Sequence, residues 1–161
     1  SHAFVPSAPA ILPNIQKLIS IFYERGSPVV FTRHVNTDAD VRMMSRWWRD
    51  VIQPDSQAGA IHPFLDVTKG IVLDKTQYDA FYNTPLEETL RGRGVDQVVG
   101  TGVMTHLCCE TTARSAFVRG FEVFFCVDGT ATYTEKFHRA SALNLSHGFA
   151  LPVLCGEIVN S

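Results

Sequence analysis

Residues 95–117 read VDQVVGTGVMTHLCCETTARSAF, and this stretch decides how the chain is parsed. The run VDQVVGTG is apolar and β-branched and predicts a buried strand, while Thr112, Ala113, Ala116 and Phe117 recur at helical spacing after it. Cys108 therefore falls at a strand-to-helix junction. Unsatisfied N–H groups at a helix start, together with the positive end of its dipole, favour a thiolate there. The position suits nucleophilic chemistry; a buried structural cysteine is the alternative reading of the same residue.

Outward from this junction, strand and helix signals alternate. Ile11, Ile15, Leu18, Ile19 and Phe22 share one helical face, and Gly26 supplies the stop. PVVFT (28–32) and IVLD (71–74) predict strands. Between them, residues 35–70 are irregular, with Trp47 and Trp48 in a short helix and Pro54, Gly59, Pro63 and Gly70 marking loops. Thr84, Pro85 and Glu87 supply an N-cap, a first-turn proline and a capping-box acid, and Gly94 ends that helix. After the cysteine helix, which extends to about Arg119, come EVFFCVD (122–128), a helix capped by Thr134, and a last strand LPVLC (151–155). Strands alternating with helices imply right-handed crossovers and a mostly parallel, doubly wound sheet covered on both faces, a three-layer α/β/α domain spanning 1–161. No internal repeat or linker divides it.

Composition narrows the function classes. A chain of 161 residues with 45% hydrophobic content is long enough and apolar enough for a sizeable core. The net charge of −2, with both signs interspersed, offers neither a basic stripe for nucleic acid nor a polybasic membrane anchor. No apolar run approaches a spanning helix, and SHAFVPSAPA has neither the charged nor the apolar region of a secretory leader. The expected partner is a small molecule and the expected location cytoplasmic. Cys108, Cys109, Cys126 and Cys155 lack the spacing of a metal site or a disulfide framework, which fits reduced thiols.

In a doubly wound sheet the functional crevice lies at the carboxyl ends of the strands. Cys108 follows one such end and Lys75 follows another, directly after IVLD. An ammonium near a thiol favours the thiolate and can steer protons, whereas a lysine in that position is otherwise a solvated loop charge. Tyr78 and Phe81, a little further on, either wall a pocket or pack the core. Cys108, Arg114 and Ser115 also satisfy the C-x5-R-S pattern of cysteine-dependent phosphatases. A phosphate cradle needs permissive backbone, however, and this segment has Glu110 and no glycine, so the phosphatase reading fails on composition.

Taken together, PVVFTRH, K-x-x-Y-x-A-F at Lys75 to Phe81, TPLEETLRGRGVDQVVGTGV, the cysteine segment and VDGTATY resemble the isochorismatase-like cysteine hydrolases. That family includes isochorismatases, nicotinamidases, N-carbamoylsarcosine amidases and ureidoacrylate amidases. The resemblance runs from the first helix to the last strand and implies Cys108, rather than Cys109, as nucleophile and Lys75 as the catalytic lysine. It also implies a cis peptide between Val103 and Met104 and an oxyanion hole from the N–H groups of Met104 and Cys108. Tyr78, Phe81, His34 and Thr105 are the expected substrate contacts, and a homo-oligomer is expected. The implied reaction is cleavage of a C–N bond in a small amide or carbamoyl compound through a thioester. A catalytically silent binding module and a vinyl-ether-cleaving isochorismatase are the alternatives.

Two departures accompany the resemblance. The family's third catalytic residue is an aspartate in a D-x-Q segment that ends the first strand, and the match begins after it. An apolar strand ending in that aspartate is therefore expected upstream of Ser1, lying mid-sheet; Asp38 beside the thiol would be the substitute. Asp79 also stands where relatives commonly have a small residue. Nicotinamidases of the family hold a divalent metal with an aspartate and histidines, but His34, His62 and His106 show no convincing version of that set, so neither metal nor cofactor is expected.

Overall fold

A computed structural model describes residues 4–48 and 50–161. Helix α1 (Ala8–Glu24) leads to strand β1 (Val30–His34), short helix α2 (Met44–Trp47) and strand β2 (Ile71–Lys75). Helix α3 (Leu86–Arg91) precedes strand β3 (Gln97–Val103), a π-helical turn (Thr105–Cys109) and helix α4 (Glu110–Val118). Strand β4 (Glu122–Ala131), helix α5 (Glu135–Ser146), strand β5 (Leu151–Val153) and helix α6 (Cys155–Asn160) complete the order. All strand pairings are parallel: β1 with β2, and β3 with β4 with β5.

The alternation of side chains along the strands builds three layers. Val30 packs with the core cluster of Leu86, Leu90, Ala113, Ala116 and Leu145, on the side of α3, α4 and α5. Its neighbour Phe31 points the other way, onto Ile11, Ile15 and Ile19 of α1. In β4 the same alternation sends Val123 and Phe125 to the first cluster and Cys126 to Leu18 and Cys155, on the side of α1 and α6. The two sheets thus share both helical layers. Among the described residues, no backbone ladder joins β1–β2 to β3–β4–β5. Ser1 to Ala3, where the expected upstream strand would join, lie outside the described residues.

The face predicted for α1 is the buried one, and Gly26 follows it with φ +68°. Elsewhere the boundaries move. β1 starts two residues later than PVVFT and includes His34, and β2 includes Lys75, which is paired with His34 instead of lying beyond the strand. β4 runs past Asp128 because the ladder to β3 breaks between Gly100 and Gly102 and resumes as Gly102 with Thr130 and Val103 with Ala131. That irregularity absorbs extra residues on β4 and bends its end. The predicted last strand LPVLC stops at Val153. Cys155 instead opens α6, whose Glu157 carboxylate accepts the Leu154 N–H at 2.6 Å.

Candidate active site

The cysteine does not open an α-helix. It is the fourth residue of a π-helical turn that starts at Thr105, directly after a cis Val103–Met104 peptide bond. The Cys109 N–H reaches back five residues to the Met104 carbonyl at 3.2 Å, the hydrogen bond that widens the turn. This turn links the end of β3 to α4 and turns Cys108 and Cys109 toward different surroundings. Cys108 meets Lys75, whereas the Cys109 Sγ lies 3.8 Å from the Thr101 carbonyl, and burial pushes the Cys109 thiol pKa up.

Lys75 is 4% exposed, although a buried ammonium is costly without partners. Its Nζ donates to the Gln77 carbonyl at 2.8 Å and to the Cys108 Sγ at 3.3 Å. The sheet register fixes where this side chain starts, and the Gln77 carbonyl fixes where it ends. The ammonium is thereby held in direct contact with the sulfur.

Around this pair the irregular segment contributes two residues that the sequence did not mark as site residues, Asn36 and Trp48, the latter extended just past α2 instead of inside the short helix expected to hold it. The Trp48 indole N–H donates to the Tyr78 phenol at 2.8 Å. Burial raises the Tyr78 pKa, the Trp48 hydrogen bond opposes that rise, and the Cys108 charge adds to it. Asn36, 1% exposed, donates to Asp40 Oδ1 at 2.9 Å and to the Thr76 carbonyl at 3.0 Å. These donations leave its Oδ1 as the acceptor facing His34 Nε2, 2.7 Å away. His34, Asn36, Met44, Trp48 and Ile52 line a small crevice. Asn36 and Trp48 were hidden because single polar or aromatic residues in an unpatterned stretch carry no periodic signal.

Other predicted contacts are occupied elsewhere. Phe81 is 6% exposed and stacks obliquely on Phe121, 5.8 Å between centroids, inside the first core cluster. Thr105 is fully buried with its hydroxyl 3.0 Å from His138 Nδ1, a contact that ties the turn to α5. Arg114, the arginine of the phosphatase-like pattern, is paired with Glu110 at 2.7 Å and lies over the Phe149 ring. Asp38 is exposed.

The oxygens of Asp40 accept from Asn36 and Thr37, which hold its carboxylate below the usual range, and His62 Nδ1 accepts the Phe64 N–H. No group of three or more metal-ligating side chains converges among the described residues. No helix among them is long and apolar enough to cross a membrane.

A parallel α/β sandwich with a thiol and a buried ammonium in contact at the carboxyl ends of its strands is the arrangement of a cysteine-bearing α/β hydrolase. The Isochorismatase domain family model matches residues 3–155, and the chain belongs to the isochorismatase family of hydrolases. It is 40% identical to nicotinamidase 3 of Arabidopsis thaliana over 166 residues, covering 98% of this chain and 82% of that protein. The fold matches a cysteine hydrolase from Pseudomonas syringae pv. phaseolicola with TM-score 0.92 at 24% identity, covering 98% of this chain and 82% of that one. It also matches the pyrazinamidase/nicotinamidase of Streptococcus mutans, with TM-score 0.84 at 23% identity over 92% of this chain and 87% of that one.

Proposed function

We propose that this chain is an amidase that hydrolyses the C–N bond of a small heteroaromatic amide of the nicotinamide type, through a thioester on Cys108. The observation that carries the reading is the 3.3 Å contact between Lys75 Nζ and Cys108 Sγ, made by an ammonium buried from solvent. The nicotinamidase at 40% identity supports the substrate class.

In this mechanism the Cys108 sulfur attacks the amide carbonyl and forms a C–S bond. The carbonyl oxygen takes up negative charge and is received by the backbone N–H groups of Met104 and Cys108. Losing one such donor costs about 10²–10³ in rate. The C–N bond then breaks, and the nitrogen leaves as ammonia after accepting the proton given up by the thiol, with Lys75 holding the charge in place. Water attacks the thioester, the C–S bond breaks, and the acid departs with the thiol restored. Tyr78, tied to Trp48, and His34, tied to Asn36, are the proposed contacts to the ring.

An aspartate completes the proton relay. It is carried by a further strand that joins β1–β2 to β3–β4–β5 within the same domain, and the open ladder between the two sheets supports this placement. Assembly as a homo-oligomer and a cytoplasmic location belong to the same proposal.

The test is ammonia release from nicotinamide, simple ureas and carbamoyl compounds by the full-length protein, with intact-mass detection of an acyl adduct on Cys108. Nicotinamide turnover with an adduct of the acyl mass is expected. Cleavage of isochorismate without ammonia release from any amide would replace this reading with the vinyl-ether one.

A further inference from the structure

Resting on the thiol–ammonium reading above, we infer that Thr112, Ser115 and Asp79 are positioning residues that set the separation of Lys75 and Cys108. They do so by latching the loop after β2 onto α4. Cys108, Thr112 and Ser115 follow one another at intervals of four and three residues, which puts them along one face of the helical segment. The first touches Lys75 and the other two touch the loop that follows it.

The latch has two parts, each with its polarity fixed by chemistry. A hydroxyl carries one proton and can also accept. Thr112 Oγ1 receives the Ala80 N–H at 3.0 Å, so its own proton is free for the Tyr78 carbonyl at 3.3 Å. Asp79 Oδ1 receives the Phe81 N–H at 2.8 Å, and Oδ2 receives the Ser115 hydroxyl at 2.7 Å. Ser115 Oγ in turn receives Arg119 Nη1. A guanidinium only donates, so the serine proton has to point at the carboxylate. Arg119 is itself held by Glu87 at 3.0 Å. The connection therefore runs from α3 through α4 into the loop.

These contacts bear on the thiol through one atom. The Lys75 side chain has four rotatable bonds, and its ammonium is anchored by the Gln77 carbonyl. Gln77 immediately precedes Tyr78, whose carbonyl Thr112 holds. On the near side, Asn36 holds the Thr76 carbonyl. Residues 76–79 form no helix or strand, so their path depends on such tethers from outside. Releasing the α4 side lets the Gln77 carbonyl drift and takes the ammonium away from sulfur. Asp79 supplies half of this latch.

The experiment measures two quantities in the full-length protein. One is the second-order rate of Cys108 alkylation by iodoacetamide at fixed pH, resolved by mass spectrometry, and the other is kcat and KM for amide hydrolysis. Thr112→Val keeps the shape and removes both hydroxyl bonds, Ser115→Ala is the milder second variant, and Lys75→Ala sets the floor. Thr112→Val is expected to lower kcat by about 10², the loss typical of a misplaced reacting group, and to lower the alkylation rate in the same direction with KM little changed. Thr112→Ser should restore both. A purely structural hydroxyl would lower the melting temperature and leave both rates alone. Alkylation and kcat within about twofold of wild type in folded Thr112→Val and Ser115→Ala would overturn the inference. So would equal impairment by valine and serine at position 112. If no amide is turned over by the wild type, the amidase reading fails while the alkylation series still decides the latch.

Discussion

Two adjacent thiols in this chain have different environments, and the difference is a matter of one residue in a π turn. Cys108 faces an ammonium; Cys109 faces the Thr101 carbonyl and the core, where burial disfavours its thiolate. Cys108→Ala is accordingly expected to abolish turnover without loss of fold. Cys109→Ala should leave turnover largely intact and cost about 1 kcal/mol, or roughly 2–4 °C in melting temperature for a chain of this size. Turnover and thermal unfolding of the two variants check this, and equal loss of activity would reverse the assignment of the nucleophile. His106 provides a second prediction. Its Nδ1 lies 2.7 Å from the Thr132 hydroxyl and its ring stacks on Phe137 at 4.3 Å, and burial lowers its pKa against an opposing pull from Glu110. A histidine kept neutral by the fold binds fewer protons native than unfolded below about pH 6.5. Its contribution is therefore present above that pH and is lost as the pH falls through it. Urea unfolding of His106→Gln between pH 7 and 5 should show a shallower decline in stability than the wild type, and identical slopes would show that His106 is not the group responsible.

The central element of the larger sheet is β4. It lies between β3 and β5, presents alternate side chains to both helical layers, and leaves its regular ladder where Gly129 passes close to its neighbours. A Cβ at Gly129 would meet Cys155 Sγ at 2.8 Å, Cys126 Cβ at 3.0 Å and Thr101 Cγ2 at 3.1 Å. Short, packed side chains of this kind give way less readily than the flexible ends of long ones, so Gly129→Ala should destabilise by about 1–3 kcal/mol, the range of overpacked cores. Thr101 lies on β3, just before the turn that carries Cys108. The same variant is thus expected to slow Cys108 alkylation as well. Denaturant unfolding measures the first effect, and an unchanged midpoint would mean that the ladder irregularity is soft.

For the molecule as a whole, stability is predicted to be uneven between the two sheets. Phe124 and Phe125 are paired on both sides, to β3 and to β5, and Phe125 and Leu145 are fully buried. Strands β1 and β2 have only each other as ladder partners among the described residues. Amide exchange should accordingly be slowest across residues 123–126, where opening requires global unfolding, and faster along β1 and β2. Slow exchange of β1 in the full-length protein, equal to that of β4, would show that a further strand covers its edge. The outcome bears on the third catalytic group, because the aspartate is proposed to arrive on that strand.

Much of this architecture was legible in residue order. Apolar, β-branched runs and period-3.6 hydrophobicity placed α1, β2, β3 and the start of β4, because burial in a layered core imposes those patterns whatever the partner is. The strand-to-helix junction likewise marked Cys108, and the strand end marked Lys75. Sequence patterning stopped short wherever a contact joined segments far apart in the chain. That Lys75 ends 3.3 Å from sulfur depends on the end of β2 meeting the turn after β3, and that Trp48 binds Tyr78 and Asn36 binds Thr76 depends on how an unpatterned stretch folds over them. Phe81 illustrates the limit: its spacing from Tyr78 admitted either pocket or core, and its packing on Phe121 is a long-range contact that spacing does not record. Periodicity records which face of an element is dry, whereas the partner that dries it, and the atom at the end of a long side chain, are fixed by tertiary packing alone.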